Sequence, residues 1–313
     1  MKVGFLFPGQ GSQSIGMGKD LYDNYEIVKE MYDKAEEITK LPIKKLSFEG
    51  PEEELNKTQN TQLAILTMSL AITKLLETEG IKADISAGLS LGEYSALINS
   101  KAITIEDGLS IVKARGKYMQ ELCPKGDWKM AAIMGLTEEQ VNEGISKVQS
   151  GFVKAVNFNT EGQIVLSGET VAIEEACEKL KEMGAKRAMP LNTAGPFHTE
   201  KLIESSKALR EELEKYSFNR LESKVIKNLT GDTYYSDEDN IKEILAEHII
   251  NPVQFKKTLE KMLKEGIDTF IEIGPGKTLS GFLKRIDTDK EIKILNISNV
   301  ETYKNILSIL KGE

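Results

Sequence analysis

Hydrophobic and polar positions change their period several times along this chain. Val3–Phe7 is a nearly unbroken apolar run halted by Pro8-Gly9-Gln10-Gly11, which predicts a short strand buried on both faces. Leu21, Tyr25, Val28, Tyr32 and Ala35 fall at helical spacing and predict one amphipathic helix over 20–38. Apolar residues point in nearly every direction over 61–76, as in a buried helix. A short strand is expected over 81–87, running into Gly88-Leu89-Ser90-Leu91-Gly92 and a helix over 93–98. Thr104-Ile105-Glu106-Asp107 has capping-box spacing and opens a helix to about Leu122.

The rhythm then shifts. Strand, helix, strand, strand, helix and strand are expected over 129–135, 137–148, 152–157, 163–168, 170–183 and 186–191. That order is βαββαβ, the ferredoxin-like pattern, and it predicts a small inserted domain over 126–192. Afterwards helices over 200–216, 241–250 and 253–265 alternate with strands over 224–229, 268–273 and 293–297. A helix to Ile286 and a terminal one over 302–310 complete the chain. Strands alternating with helices imply an α/β domain, 1–125 and 193–313, around a largely parallel sheet covered on both faces. The segment 231–240 reads as a polar surface loop.

Composition narrows the function classes. Among 313 residues, 49 acidic against 41 basic side chains leave a net charge of −8, which argues against a broad nucleic-acid-binding face. Two cysteines make no disulfide framework, so a reducing cytoplasm is expected; Cys177 shares an apolar face and reads as core. With two cysteines and two histidines no zinc-site spacing exists; counting leaves a carboxylate site open, but no metal is expected. No run is long enough to span a bilayer, so neither a membrane nor a targeting segment is expected.

Gly88-x-Ser90-x-Gly92 between a strand and a helix is the strongest chemical signal. Flanking glycines let a serine sit in a tight turn, with its hydroxyl at a helix N-terminus that can stabilise an oxyanion. A capping serine between two glycines would look the same in isolation. A serine nucleophile needs a base, and there are two histidines to choose from. His198 follows Gly195-Pro196-Phe197 in a loop at the domain junction, where catalytic groups commonly sit, and is the preferred base. His248 lies near a helix end, where a histidine is favoured by the helix dipole. Arg115 falls on the apolar arc of its helix with Ile111, Val112, Tyr118 and Met119. An inward guanidinium needs an anion: an internal carboxylate, or a substrate carboxylate held bidentately. Gln10 and Gln62 can hydrogen-bond in a pocket or simply cap. Gly274-Pro275-Gly276-Lys277 lacks phosphate-loop spacing.

Over essentially its whole length the chain resembles the malonyl-CoA:acyl-carrier-protein transacylases of bacterial type II fatty acid synthesis. Phe5-Leu6-Phe7-Pro8-Gly9-Gln10-Gly11-Ser12-Gln13, Gln59-Asn60-Thr61-Gln62 and Gly88-Leu89-Ser90-Leu91-Gly92-Glu93 stand where the family's motifs stand. So do Arg115-Gly116, Gly195-Pro196-Phe197-His198, Asn251-Pro252-Val253 and Glu272-Ile273-Gly274-Pro275-Gly276. The resemblance implies an α/β-hydrolase-like domain with a ferredoxin-like insertion. It implies Ser90 as nucleophile, His198 as base, and the backbone N–H groups of Gln10 and Leu91 as oxyanion hole. Arg115 would hold the malonyl carboxylate, with Gln62 and Phe197 in the substrate pocket. The backbone carbonyl of His248 would orient His198.

Leu89, Leu63 and His248 depart from the family's usual histidine, proline and glutamine; none removes a group the chemistry needs. Phe197 beside the base would disfavour a methyl branch on the malonyl α-carbon. The implied partners are malonyl-CoA and an acyl carrier protein, whose acidity calls for a local Lys/Arg cluster. No cofactor of the protein's own is expected, since CoA arrives as substrate thioester and phosphopantetheine on the partner. A monomer is expected. A serine hydrolase and a non-catalytic docking subunit are the competing classes; Arg115 speaks against the first, and the intact Ser90, His198 and Arg115 set against the second.

Overall fold

The computed structural model describes residues 1–191 and 195–311. In chain order the first part comprises β1 (Val3–Phe7), α1 (Lys19–Asn24), α2 (Glu26–Thr39), α3 (Ile43–Phe48), α4 (Glu52–Leu55), α5 (Thr58–Thr78), β2 (Ile85–Gly88), α6 (Gly92–Asn99) and α7 (Ile105–Glu121). Next come β3 (Trp128–Met134), α8 (Glu138–Ser146), β4 (Val153–Thr160), β5 (Gln163–Glu169), α9 (Thr170–Glu182) and β6 (Arg187–Leu191). The remainder is a 3₁₀ turn at Glu200–Leu202, α10 (Ile203–Leu213), β7 (Lys224–Val225), α11 (Ile241–His248), α12 (Phe255–Lys264), β8 (Thr269–Ile273), α13 (Thr278–Leu283), β9 (Lys293–Ile297) and α14 (Val300–Lys311).

The larger sheet has five strands in the order β7-β2-β1-β8-β9, and every neighbouring pair is parallel. Its strands are apolar throughout because helices cover both faces. Strand alternation divides β1 between two cores. Val3, Phe5 and Phe7 enter the larger one, with α2, α5 and α7, while Leu6 joins Phe255, Leu259, Met262 and Phe282 on the other face. The smaller sheet is antiparallel, in the order β4-β5-β3-β6, with α8 and α9 packed against it. Its strand order and helix placement agree with the βαββαβ pattern. The expected insertion ends at residue 192 and the larger domain resumes at 193; both positions lie outside the described residues.

Several expected elements differ. The single helix over 20–38 is two, because Tyr25 is extended (φ −130°, ψ 121°) and serves as C-cap of α1 and N-cap of α2. Its ring packs edge-on against Tyr303, 5.3 Å away. The strand over 81–87 begins only at Ile85, since Ile81 N–H still donates to Leu76 at the end of α5. The strand over 224–229 keeps two residues, β7, before the chain turns away. The segment 231–240 is not wholly a surface loop: Tyr235 is buried, and Tyr234 pairs with Ile226.

Candidate active site

The site is built where β2 turns into α6. Ser90 occupies the left-handed region at φ 52°, a conformation that costs a non-glycine residue energy unless its surroundings impose it. The surroundings are close-packed backbone. A Cβ on Gly88 would run into the backbone of Gly92, and one on Gly92 into the carbonyl of Phe7. The two glycines therefore let α6 start directly against β1 and β2. Asn228, fully buried, ties the turn together: its Oδ1 accepts from Ser90 N–H at 2.8 Å and its Nδ2 donates to Gly88 O at 2.7 Å.

Ser90 Oγ lies 2.8 Å from His198 Nε2. His198 is itself held at φ 60°, so both members of this pair sit on left-handed backbone. Its Nδ1 faces two carbonyls, His248 O at 2.9 Å and Asn251 O at 3.2 Å. Carbonyls only accept, so Nδ1 carries the proton and the neutral ring presents a lone pair at Nε2 to the serine. Burial holds the imidazole well below the ordinary histidine range, helped by the neighbouring His248 ring and the charge of Arg115; the two carbonyl bonds oppose this. The ring is a free base at neutral pH.

Arg115 reaches the same point from α7. Its side chain is 1% exposed, its Nη2 donates to Ser90 Oγ at 3.1 Å, and its guanidinium stands 5.3 Å from the Tyr94 ring centroid. Burial pulls its pKa down, against the fields of Tyr94 and Glu93. Among the described residues no carboxylate is within ion-pair distance, and Nε has no partner. The internal ion pair, one of the two expectations for this residue, is not found among the described residues.

A cavity of about 300 Å³ opens above Ser90, between the two sheets. Gln10, Gln62, Leu91, Arg115, Phe197 and His198 line it from the larger part, as do Met130, Asn157, Asn159 and Val165 from the smaller sheet. The backbone N–H groups of Gln10 and Leu91 have no acceptor among the described residues. Gln62 is 1% exposed; its amide meets Met119 Sδ at 3.5 Å, while its Oε1 has no partner.

All the expected site residues except the side chain of His248 border this cavity. His248 presents its carbonyl to His198 and is the last residue of α11, the helix-end position expected, but its ring is turned to a buried carboxylate. Its ring is 1% exposed, and Nδ1 lies 2.7 Å from Glu93 Oε2. Sequence reasoning missed Asn228, Glu93, Asn157 and Asn159. The two cavity asparagines had a signal, since positions two apart on a strand share a face. Asn228 had none, because its role is a contact across 138 positions of chain.

A family model described as acyl transferase domain matches residues 4–301. The malonyl CoA-acyl carrier protein transacylase of Bacillus subtilis is 41% identical over all of this chain and 98% of its own. The chain belongs to this family. The crystal structure of the same enzyme from Clostridium perfringens superposes with a TM-score of 0.93 at 46% identity, covering 100% of this chain and 98% of that one. A malonyl-transacylase solved in complex with its type II PKS acyl-carrier protein gives 0.94 at 34% identity, each chain covered in full. This transacylase fold accounts for both sheets. Among its described residues no helix is long and apolar enough to cross a membrane.

Proposed function

We propose that this transacylase moves the malonyl group of malonyl-CoA to the phosphopantetheine thiol of an acyl carrier protein through a malonyl-serine ester. The observation that carries this reading is Arg115, a buried cation that touches Ser90 Oγ and has no carboxylate partner among the described residues. A site of this kind favours an acyl group that brings its own anion.

His198 Nε2 takes the proton of Ser90 Oγ as the oxygen attacks the thioester carbonyl. The oxyanion is met by the backbone N–H groups of Gln10 and Leu91. Collapse breaks the C–S bond, and the CoA thiolate leaves with the proton from His198. The carrier's thiol then gives its proton to His198 and attacks the ester carbonyl; the C–Oγ bond breaks, and Ser90 Oγ takes that proton back from His198. Arg115 pairs with the malonyl carboxylate throughout, while Gln62 and Phe197 bound the acyl pocket. The same reading gives the protein no resident cofactor and places it in the cytoplasm as a monomer.

Intact mass spectrometry after mixing with malonyl-CoA tests the scheme. One malonyl adduct is expected on the native chain, discharged by holo carrier protein, and none on Ser90→Ala. An adduct that persists on Ser90→Ala overturns the nucleophile; an adduct discharged to water as fast as to the carrier makes the protein a hydrolase.

A further inference from the structure

Behind Ser90 and His198 lies a buried group of side chains that the acyl-transfer scheme does not use. Glu93, on the first turn of α6, is fully buried. Its Oε1 accepts from Asn228 N–H at 2.8 Å and from Tyr235 Oη at 2.9 Å. Its Oε2 faces His248 Nδ1 at 2.7 Å, and the His248 and His198 rings are tilted against each other with centroids 5.0 Å apart. The contacts close a ring. Ser90 N–H reaches Asn228, Asn228 N–H reaches Glu93, Glu93 faces His248, His248 O accepts from His198, and His198 returns to Ser90 Oγ.

We propose that Glu93 and His248 form an imidazolium–carboxylate pair that positions both halves of the reacting dyad, Ser90 through Asn228 and His198 through the His248 carbonyl. The inference rests on the acyl-transfer reading for the roles of Ser90 and His198. At 2.7 Å Nδ1 and Oε2 are within ion-pair distance, a separation that a positively charged ring favours. The contact is not aligned as a directed N–H···O bond. No other cation is within ion-pair distance of Glu93 among the described residues, and a buried carboxylate without a counter-charge is costly. The remaining titratable groups facing the cluster are Arg115, Tyr94 and Tyr235, with Asp239 beyond Tyr235. His248, where the family commonly has a glutamine, thus adds a charge beside the base. That charge disfavours a proton on His198 and keeps the base free at lower pH.

His248→Gln separates charge from packing. It retains the backbone carbonyl and an amide N–H for Glu93, so a purely structural role survives. The acid limb of the malonyl-CoA acylation rate should move up by about one pH unit, with KM unchanged, because His198 then protonates more readily. Glu93→Gln should move it the same way, since His248 loses its anion. The double variant should move it no further than the larger single shift. Far-UV circular dichroism and melting establish that each variant is folded. An acid limb that stays in place in folded His248→Gln, or shifts that add in the double variant, overturns the pair.

A second measurement needs no variant. With two histidines in the chain, ¹⁵N-histidine NMR of the native protein reads both rings. His248 should be imidazolium at a pH where His198 is the neutral Nδ1–H form; a neutral His248 there sinks the proposal. This readout is independent of acylation, so it stands or falls apart from the Ser90→Ala result.

Discussion

At the scale of single residues, the site spends conformational strain and burial on three side chains. Ser90 and His198 are two of four non-glycine residues with positive φ among the described residues, and they face each other at 2.8 Å. Arg115 is the third, and in the proposed scheme it selects the acyl group. A buried charge left without its partner costs roughly 3–5 kcal/mol, so neutral acyl groups should be strongly disfavoured. Arg115→Ala should cut malonyl acylation steeply and leave acetyl-CoA acylation of Ser90 unchanged or raised. The ratio of the two acylation rates is the measurement, and a ratio that does not move would make Arg115 a structural residue. Ser90, His198 and Arg115 were legible in the sequence because each breaks a local rule: a serine between turn glycines, a histidine at a domain junction, a cation on an apolar arc. Glu93 and Asn228 break no local rule. They look like an ordinary helix-start acid and a loop amide until the fold brings Tyr235 and His248 to them.

Among the elements, the β2–α6 elbow depends on how closely backbone approaches backbone. Gly92 has no room for a Cβ beside the Phe7 carbonyl, and that carbonyl cannot withdraw without breaking β1 from the sheet. Gly92→Ala should therefore lower stability by about 1–3 kcal/mol and reduce Ser90 acylation more than the stability loss explains. Chemical denaturation and single-turnover acylation test the two parts; a stable variant with native acylation would show that the elbow relaxes freely. The helix start at Thr104 was read correctly, though without the reciprocal bond of a full capping box, which the structure has instead at Thr137 and Gln140. Thr104 accepts from Asp107 N–H at 3.0 Å at the start of α7, where the sequence places it. Element ends were read less well where tertiary contacts override local pattern. Tyr25 continues the helical spacing of its neighbours, yet the chain is extended there while its ring packs on Tyr303.

For the whole molecule, the question is what holds the smaller sheet over Ser90. Among the described residues two backbone hydrogen bonds cross between the parts: Val253 N–H to Val156 O at 2.8 Å, and Phe158 N–H to Val253 O at 3.0 Å. They pin β4, and with it Asn157 and Asn159, to the segment between α11 and α12 that also orients His198. Val253→Pro removes the first bond, a loss of about 1 kcal/mol. KM for malonyl-CoA should rise while the reactivity of Ser90 toward a small phosphonate probe stays near native. An unchanged KM would show that this joint does not shape the cavity.

The α/β class, the βαββαβ order of the smaller sheet, and Ser90 and His198 as candidates for nucleophile and base were all readable from sequence alone. Those follow from periodicities and turn residues written into neighbouring positions, and from motifs whose order along the chain is itself the signal. The tertiary structure decided that no carboxylate among the described residues meets Arg115, that Asn157 and Asn159 line the cavity, and that His248 is a buried partner of Glu93. Glu93 and His248 are far apart in sequence but 2.7 Å apart in space, and nothing local to either residue encodes the other. Their meeting is set by how α6 and α11 pack beside the sheet, because a contact between distant segments has no period to read.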